Sequence, residues 1–156
     1  MDCREKPVNS YQLAINSYQK TKTINAKGIP LGQRTMIDKK NVLQNKSFSF
    51  AKRIVELYKL LSETKKEYVL SKQILKSGTS IGANITEANG AISKQDFSAK
   101  MSIAYKESLE TKYWLRLLHE TNYIEKKVFE NLFNDCDELS KILFAILKTT
   151  RINNKQ

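Results

Sequence analysis

From Ser49 onward the apolar residues keep helical time. Phe50, Ile54, Leu57, Tyr58 and Leu61 fall at i, i+4, i+7, i+8 and i+11, one face of a helix predicted over 49–63 with Ser47 or Ser49 as its N-cap. After the charged "SETKKE", Leu70, Ile74, Ser77, Ile81, Ile85 and Ala88 step by three and four along a second helix, which Gly90 is expected to end as a left-handed C-cap. Ser93 opens the third, with Asp96 three residues on as a relative of the capping box. Phe97, Met101, Ala104, Ser108, Leu115 and Leu118 follow, and "HETNYI" breaks the run near Tyr123. Val128, Leu132, Cys136, Leu139, Leu143 and Ile146 mark the fourth, which frays near "TTRINNKQ".

The connections between these segments are only a few residues long, so successive helices must lie side by side and antiparallel. The pattern predicts an all-α, up-down-up-down four-helix bundle. Both prolines fall within the first thirty residues, so nothing later in the chain interrupts long helices. The apolar stripes are wider than one seam requires. Ile103, Trp114 and Leu117 on the third helix, and Phe129, Phe133, Ile142 and Phe144 on the fourth, extend toward a second face. Self-association through that face and a wide core within one subunit are the two explanations. Ile103, Trp114, Leu117, Phe129, Phe133 and Phe144 are the candidate oligomer-interface residues.

Within the second helix the stretch "SGTSIGANITEANGA" places Gly78 and Gly82 four residues apart, although glycine in a helix interior costs about 1 kcal/mol relative to alanine. A phosphate loop is excluded: the spacing is wrong, no lysine follows and no strand precedes. Gly78, Gly82 and Thr86 line up at i, i+4 and i+8, a ridge without bulk that lets a partner helix approach closely and gain dispersion contacts. A local kink is the alternative. Asn84 and Glu87 stand near this ridge and read as side-chain partners of neighbouring backbone rather than as a base or a metal ligand.

Charge adds a third feature. The chain has 156 residues and a formal net charge of +11. Residues 1–46 contribute +6 of it, from nine Lys/Arg against three Asp/Glu. This segment is expected to be a flexible basic arm, 47–150 the bundle and 151–156 a frayed tail. A second reading makes residues 1–35 an extension upstream of a true start at Met36. Around the start of the second helix lie Lys65, Lys66, Lys72 and Lys76, with Lys94, Lys112 and Arg116 on the third. Such a surface meets the electrostatic condition for binding RNA or DNA, with salt dependence and little regard for sequence. The sequence pattern shows no helix-turn-helix spacing or zinc finger beside it, and no aromatic stacking platform is expected from it.

Catalytic constellations are missing. The one histidine, His119, has Arg116 three residues before it, so a Glu-x-x-His di-metal site cannot be assembled, and His119 suits a helix-end cap instead. Glu107 and Glu110 have no nucleophile beside them. Cys3 and Cys136 suggest neither a disulfide nor a zinc site. No enzyme activity, cofactor or metal is expected. The apolar runs are too short to cross a bilayer and the first residues lack a signal-peptide core, so a soluble, cytoplasmic protein is expected.

The segments "FSFAKRIVELYKLL", "SKQILKSGTSIGANITEA", "SKQDF" and "YWLRLLHET", in this order, resemble the bacterial four-helix-bundle family of 23S rRNA intervening-sequence proteins. The likeness runs from about Asn41 to Lys148, and Gly78, Gly82, Asn84 and Glu87 match the family's structural signature. The resemblance implies a ring-like homopentamer without enzyme activity. The family is also similar to accessory variability determinant proteins of diversity-generating retroelements, which bind nucleic acid and a reverse transcriptase. A homo-oligomer with RNA or DNA, and a reverse transcriptase or other nucleic-acid-processing protein, are therefore the implied partners. A protein-interaction scaffold with no nucleic-acid role is the alternative.

Overall fold

The first helix begins earlier than its apolar stripe suggests. The computed structural model describes the backbone of residues 36–153 and the side-chain surroundings of residues 42–150. Helix α1 spans Met36–Lys59 and passes directly into a π-helical turn, Leu60–Thr64. Ser47, read as an N-cap, lies inside α1, buried, with its hydroxyl donating to the Gln44 carbonyl at 2.9 Å. Leu43 joins the core. The end of the expected arm at residue 46 is therefore helix, and the boundary with the bundle moves toward Met36; residues 1–35 lie outside the described residues.

The remaining helices are α2, Leu70–Asn89, α3, Lys94–Glu120, and α4, Lys126–Asn153. Helix α4 persists into the expected tail, of which residues 154–156 are outside the described set. Among the described residues there is no strand. Ser93 caps α3 as its sequence predicts: the Asp96 N–H donates to Ser93 Oγ at 3.0 Å, and the Asp96 carboxylate accepts from the Ile92 N–H at 3.4 Å. Gly90 does not supply a left-handed cap. Its φ is −95°, and its N–H closes a turn on the Glu87 carbonyl at 3.0 Å, a geometry open to any L-residue.

Among the described non-glycine residues the left-handed positions are instead Asn122, φ 61°, and Lys66, φ 54°. Asn122 ends α3 in a Schellman motif, with the Tyr123 N–H on the Leu118 carbonyl at 2.9 Å and its own N–H on His119 at 3.0 Å. Asparagine tolerates this conformation. Lysine does so only at a cost. Replacing Lys66 by glycine should therefore stabilise the bundle by about 1 kcal/mol, read as an upward shift of the urea midpoint at unchanged slope; a lower midpoint would contradict the strain.

Cross-helix pairs set the packing. Asn89 meets Gln44, and Glu87 meets Lys100. Between α1 and α4, Lys46 pairs with Glu138 and Arg53 with Asp135. Between α3 and α4, Tyr105 meets Phe144, Lys112 meets Asp137 and His119 meets Phe129. In the α1–α4 and α3–α4 sets one number rises as the other falls, as it does for α1 and α2, where Ile54 lies against Gly78 and Ser47 against Gly82, so these neighbours run antiparallel, with α1 and α3 each flanked by α2 and α4. The core holds Ile54, Leu61, Ile74, Ile81, Leu115, Leu118 and Leu143, all but fully buried. A polar layer interrupts it at the α3–α4 seam. Ser140 Oγ lies 2.7 Å from Ser108 Oγ and 3.0 Å from the Cys136 carbonyl, and the Cys136 thiol donates to the Ser108 carbonyl at 3.3 Å. These small groups satisfy one another across helices that lie close together.

Candidate packing signature and nucleic-acid interface

The two glycines of α2 face α1 but do different things. A Cβ at Gly78 would stand 2.8 Å from Ile54 Cγ1 and 2.9 Å from Ile54 Cγ2, so even one methyl group displaces a fully buried side chain. At Gly82 a Cβ would meet the Ser47 carbonyl oxygen at 3.5 Å and Ser47 Oγ at 3.6 Å, ordinary contact. Close approach is thus strict at the first position and permissive at the second. Thr86, the third member of the ridge, is exposed and donates its hydroxyl to the Gly82 carbonyl at 2.9 Å. The Asn84 amide donates to the Ser80 carbonyl at 2.8 Å, and Glu87 is held by Lys100 of α3. That pairing raises the Lys100 pKa through its hydrogen bond and the Glu87 charge. Among the described residues no group of three or more His, Cys, Asp or Glu side chains is arranged to hold a metal.

The seven basic candidates do not form one surface. Lys94 opens α3 and lies about 27 Å along the helix from Lys112, at 1.5 Å per residue. Lys112 is half-buried and donates to Asp137 of α4 at 3.0 Å, and Lys141 pairs with the same carboxylate at 2.7 Å. Hydrogen bonds from Lys141 and Lys112 hold the Asp137 pKa down. Arg116 rests over the Phe133 ring, 5.2 Å from its centroid. Lys76 projects its charge toward Glu107, whose pKa is raised by burial and by Glu110 and lowered in part by Lys76. What remains is a group at the end of the bundle where α1 turns into α2. Lys65, Lys66 and Lys72 are exposed there together with Lys59, and none of the four enters an ion pair among the described residues.

Of the two carboxylates in this connection, Glu63 stays exposed in the π-turn and Glu67 is withdrawn. Glu67 turns inward and caps α2: its Oε1 accepts the N–H groups of Val69 at 2.9 Å and Leu70 at 2.8 Å, and its Oε2 that of Ser71 at 2.6 Å. Burial pushes the Glu67 pKa up, but these backbone donors outweigh it and hold the group below its ordinary value. The signal in the sequence is Glu67 standing just before a helix start, with Ser71 four residues later returning its hydroxyl to the Glu67 carbonyl at 2.7 Å.

The apolar interface candidates divide. Ile103 is 40% exposed and Phe144 55%. Trp114 and Leu117 are half-buried, yet with Ile103 they fall within about 60° on the wheel of α3. Trp114, Phe129 and Phe133 pack against the core; Phe129 stacks on the His119 ring at 4.6 Å between centroids. His119 Nδ1 lies 3.3 Å from the Ile124 carbonyl, so the histidine braces the turn after α3. Leu109 and Tyr113, not among the candidates, are also exposed. Glu110 accepts from Trp114 Nε1 at 3.0 Å, which gives it a structural partner. Burial raises the Cys136 thiol to about 12, leaving it unreactive at neutral pH. Among the described residues no helix is long and apolar enough to cross a membrane.

The family model for the 23S rRNA-intervening sequence protein matches residues 39–145, from within α1 to within α4. The chain belongs to this family. The crystal structure of a protein of unknown function from the S23 ribosomal protein family of Bacteroides thetaiotaomicron is 55% identical to this 23S rRNA-intervening sequence family member. The match covers 70% of this chain and 98% of that one, with a TM-score of 0.69. No curated protein matches the chain. The matched span takes in the glycine ridge, the Glu67 cap and the lysines around them.

Proposed function

We propose that this family member is a non-enzymatic bundle that assembles with copies of itself, as a homopentamer, and offers basic surface to RNA or DNA without sequence preference. A nucleic-acid-processing protein such as a reverse transcriptase would be a second partner. The observation that carries the nucleic-acid reading is the set Lys59, Lys65, Lys66 and Lys72, exposed together while the neighbouring Glu67 spends its charge on backbone N–H groups. Repetition of this set around an oligomer multiplies the local field. Self-assembly is supported by Ile103, Tyr113 and Phe144, large apolar side chains left in solvent.

Fluorescence anisotropy with a labelled single-stranded oligonucleotide, titrated over salt, tests the binding. The affinity should fall linearly on a log–log plot. Changing Lys65, Lys66 and Lys72 together to glutamine should reduce the slope by about 2, at roughly 0.7 per phosphate contact. Absence of binding even at low salt would overturn this reading in favour of the scaffold, which the exposed face of α3 supports by itself.

A further inference from the structure

The connection between α1 and α2 exposes more than charge. Tyr68 is 52% and Val69 70% exposed, and Leu60 in the π-turn is 42% exposed. Their backbone is held from both sides. Lys66 takes the left-handed conformation, the Glu67 N–H donates to the Leu61 carbonyl at 2.9 Å, and the Glu67 carboxylate gathers the N–H groups of Val69, Leu70 and Ser71. With Glu67 turned in, Tyr68 is directed out. An aromatic ring is thus presented on a fixed backbone between Lys65 and Lys66 on one side and Lys72, one turn into α2, on the other.

We propose that Tyr68 is a stacking platform for an unpaired base of single-stranded RNA or DNA, with Lys65, Lys66 and Lys72 engaging the flanking phosphates. The inference rests on the nucleic-acid reading above and names the part of the strand it recognises. Every base has a π-face, so stacking adds affinity without sequence preference, and lysines on either side of an aromatic supply charge for the phosphates that flank the stacked base. A bound backbone reduces the ordering cost of the contact. A duplex keeps its bases stacked on each other and gains nothing from the ring. A lipid surface is the weaker fit: surface-bound membrane helices bury a long apolar face, and this tip offers three apolar side chains.

The experiment compares wild type, Tyr68→Ala and Tyr68→Phe by anisotropy at low salt, using a labelled single strand of about 12 nucleotides and the same strand in a duplex. Tyr68→Ala should weaken single-strand binding about tenfold, leave duplex binding and the salt slope unchanged, and be matched by retained affinity in Tyr68→Phe. Circular dichroism should be unaltered, because the ring is exposed. If wild type binds and Tyr68→Ala binds the single strand equally well, the stacking inference is overturned while the nucleic-acid reading stands. If wild type binds neither probe, both fall. Tyr68-dependent binding to phosphatidylcholine–phosphatidylserine vesicles, with oligonucleotide binding independent of Tyr68, would overturn it in favour of an anionic membrane.

Discussion

Gly78→Ala destabilises the bundle, whereas Gly82→Ala leaves it unchanged or firmer. Alanine improves helix propensity by about 1 kcal/mol at either position, so on propensity alone both should stabilise. At Gly78 the new methyl must displace Ile54, a side chain with no exposed surface. Overpacking of this kind costs about 1–3 kcal/mol, and set against the propensity gain it leaves a net loss of up to about 2 kcal/mol. At Gly82 the contact with Ser47 is of normal length, and the propensity gain survives. Gly78→Leu should remove most of the fold. Urea denaturation of each variant decides the matter, and Ile54→Ala, which removes both Cγ atoms that meet the new methyl, should cost less on the Gly78→Ala background than on the wild type. Equal stabilisation by both alanines would remove the close-approach account of the ridge.

Loss of the Glu67 carboxylate is the second large effect. Glu67→Ala leaves the buried Ser71 N–H and the partly exposed N–H groups of Val69 and Leu70 without their charged acceptor, and should cost about 2 kcal/mol. Glu67→Gln, which still offers one oxygen, should cost less. The pH dependence follows from the lowered pKa. A depressed carboxylate contributes stability fully above its unfolded value and loses it as pH falls through the folded one. Asp137 behaves in the same sense, while raised Glu107 acts oppositely, its cost at neutral pH being relieved on acidification. The gap between wild type and Glu67→Ala should therefore be wide at about pH 7 and narrow at about pH 3. A gap independent of pH would show that Glu67 acts through its bulk.

Helices α2 to α4 were legible because their apolar steps, the Ser93–Asp96 cap and the break at Asn122 all agree on boundaries. The start of α1 was not. Leu43, Ser47 and Phe50 continue the same step of three and four, but a serine before an apolar run looks like a cap, and only burial against Gly82 reveals it as a packing residue. Gly90 misled for the complementary reason: glycine permits the left-handed conformation without requiring it, and here Lys66 and Asn122 take that role. Among the basic residues, sequence proximity could not reveal that Lys112 is matched by Asp137 or that Lys94 stands at the far end of α3. Tyr68 lay within "KKEYV", an aromatic beside lysines, yet its exposure depends on Glu67 turning inward, a tertiary fact. The surplus apolar residues were legible as surplus, but their division into core-packed Phe129 and Phe133 and exposed Ile103 and Phe144 needed the neighbouring helix.

The most direct test of the functional account is the molar mass from light scattering on the whole chain, measured alone and with a single-stranded oligonucleotide. The account predicts a mass five times that of the 18.0 kDa chain, rising further with oligonucleotide at low salt and returning to the protein-only value at high salt. A mass of one chain, unaltered by oligonucleotide at any salt, would contradict it.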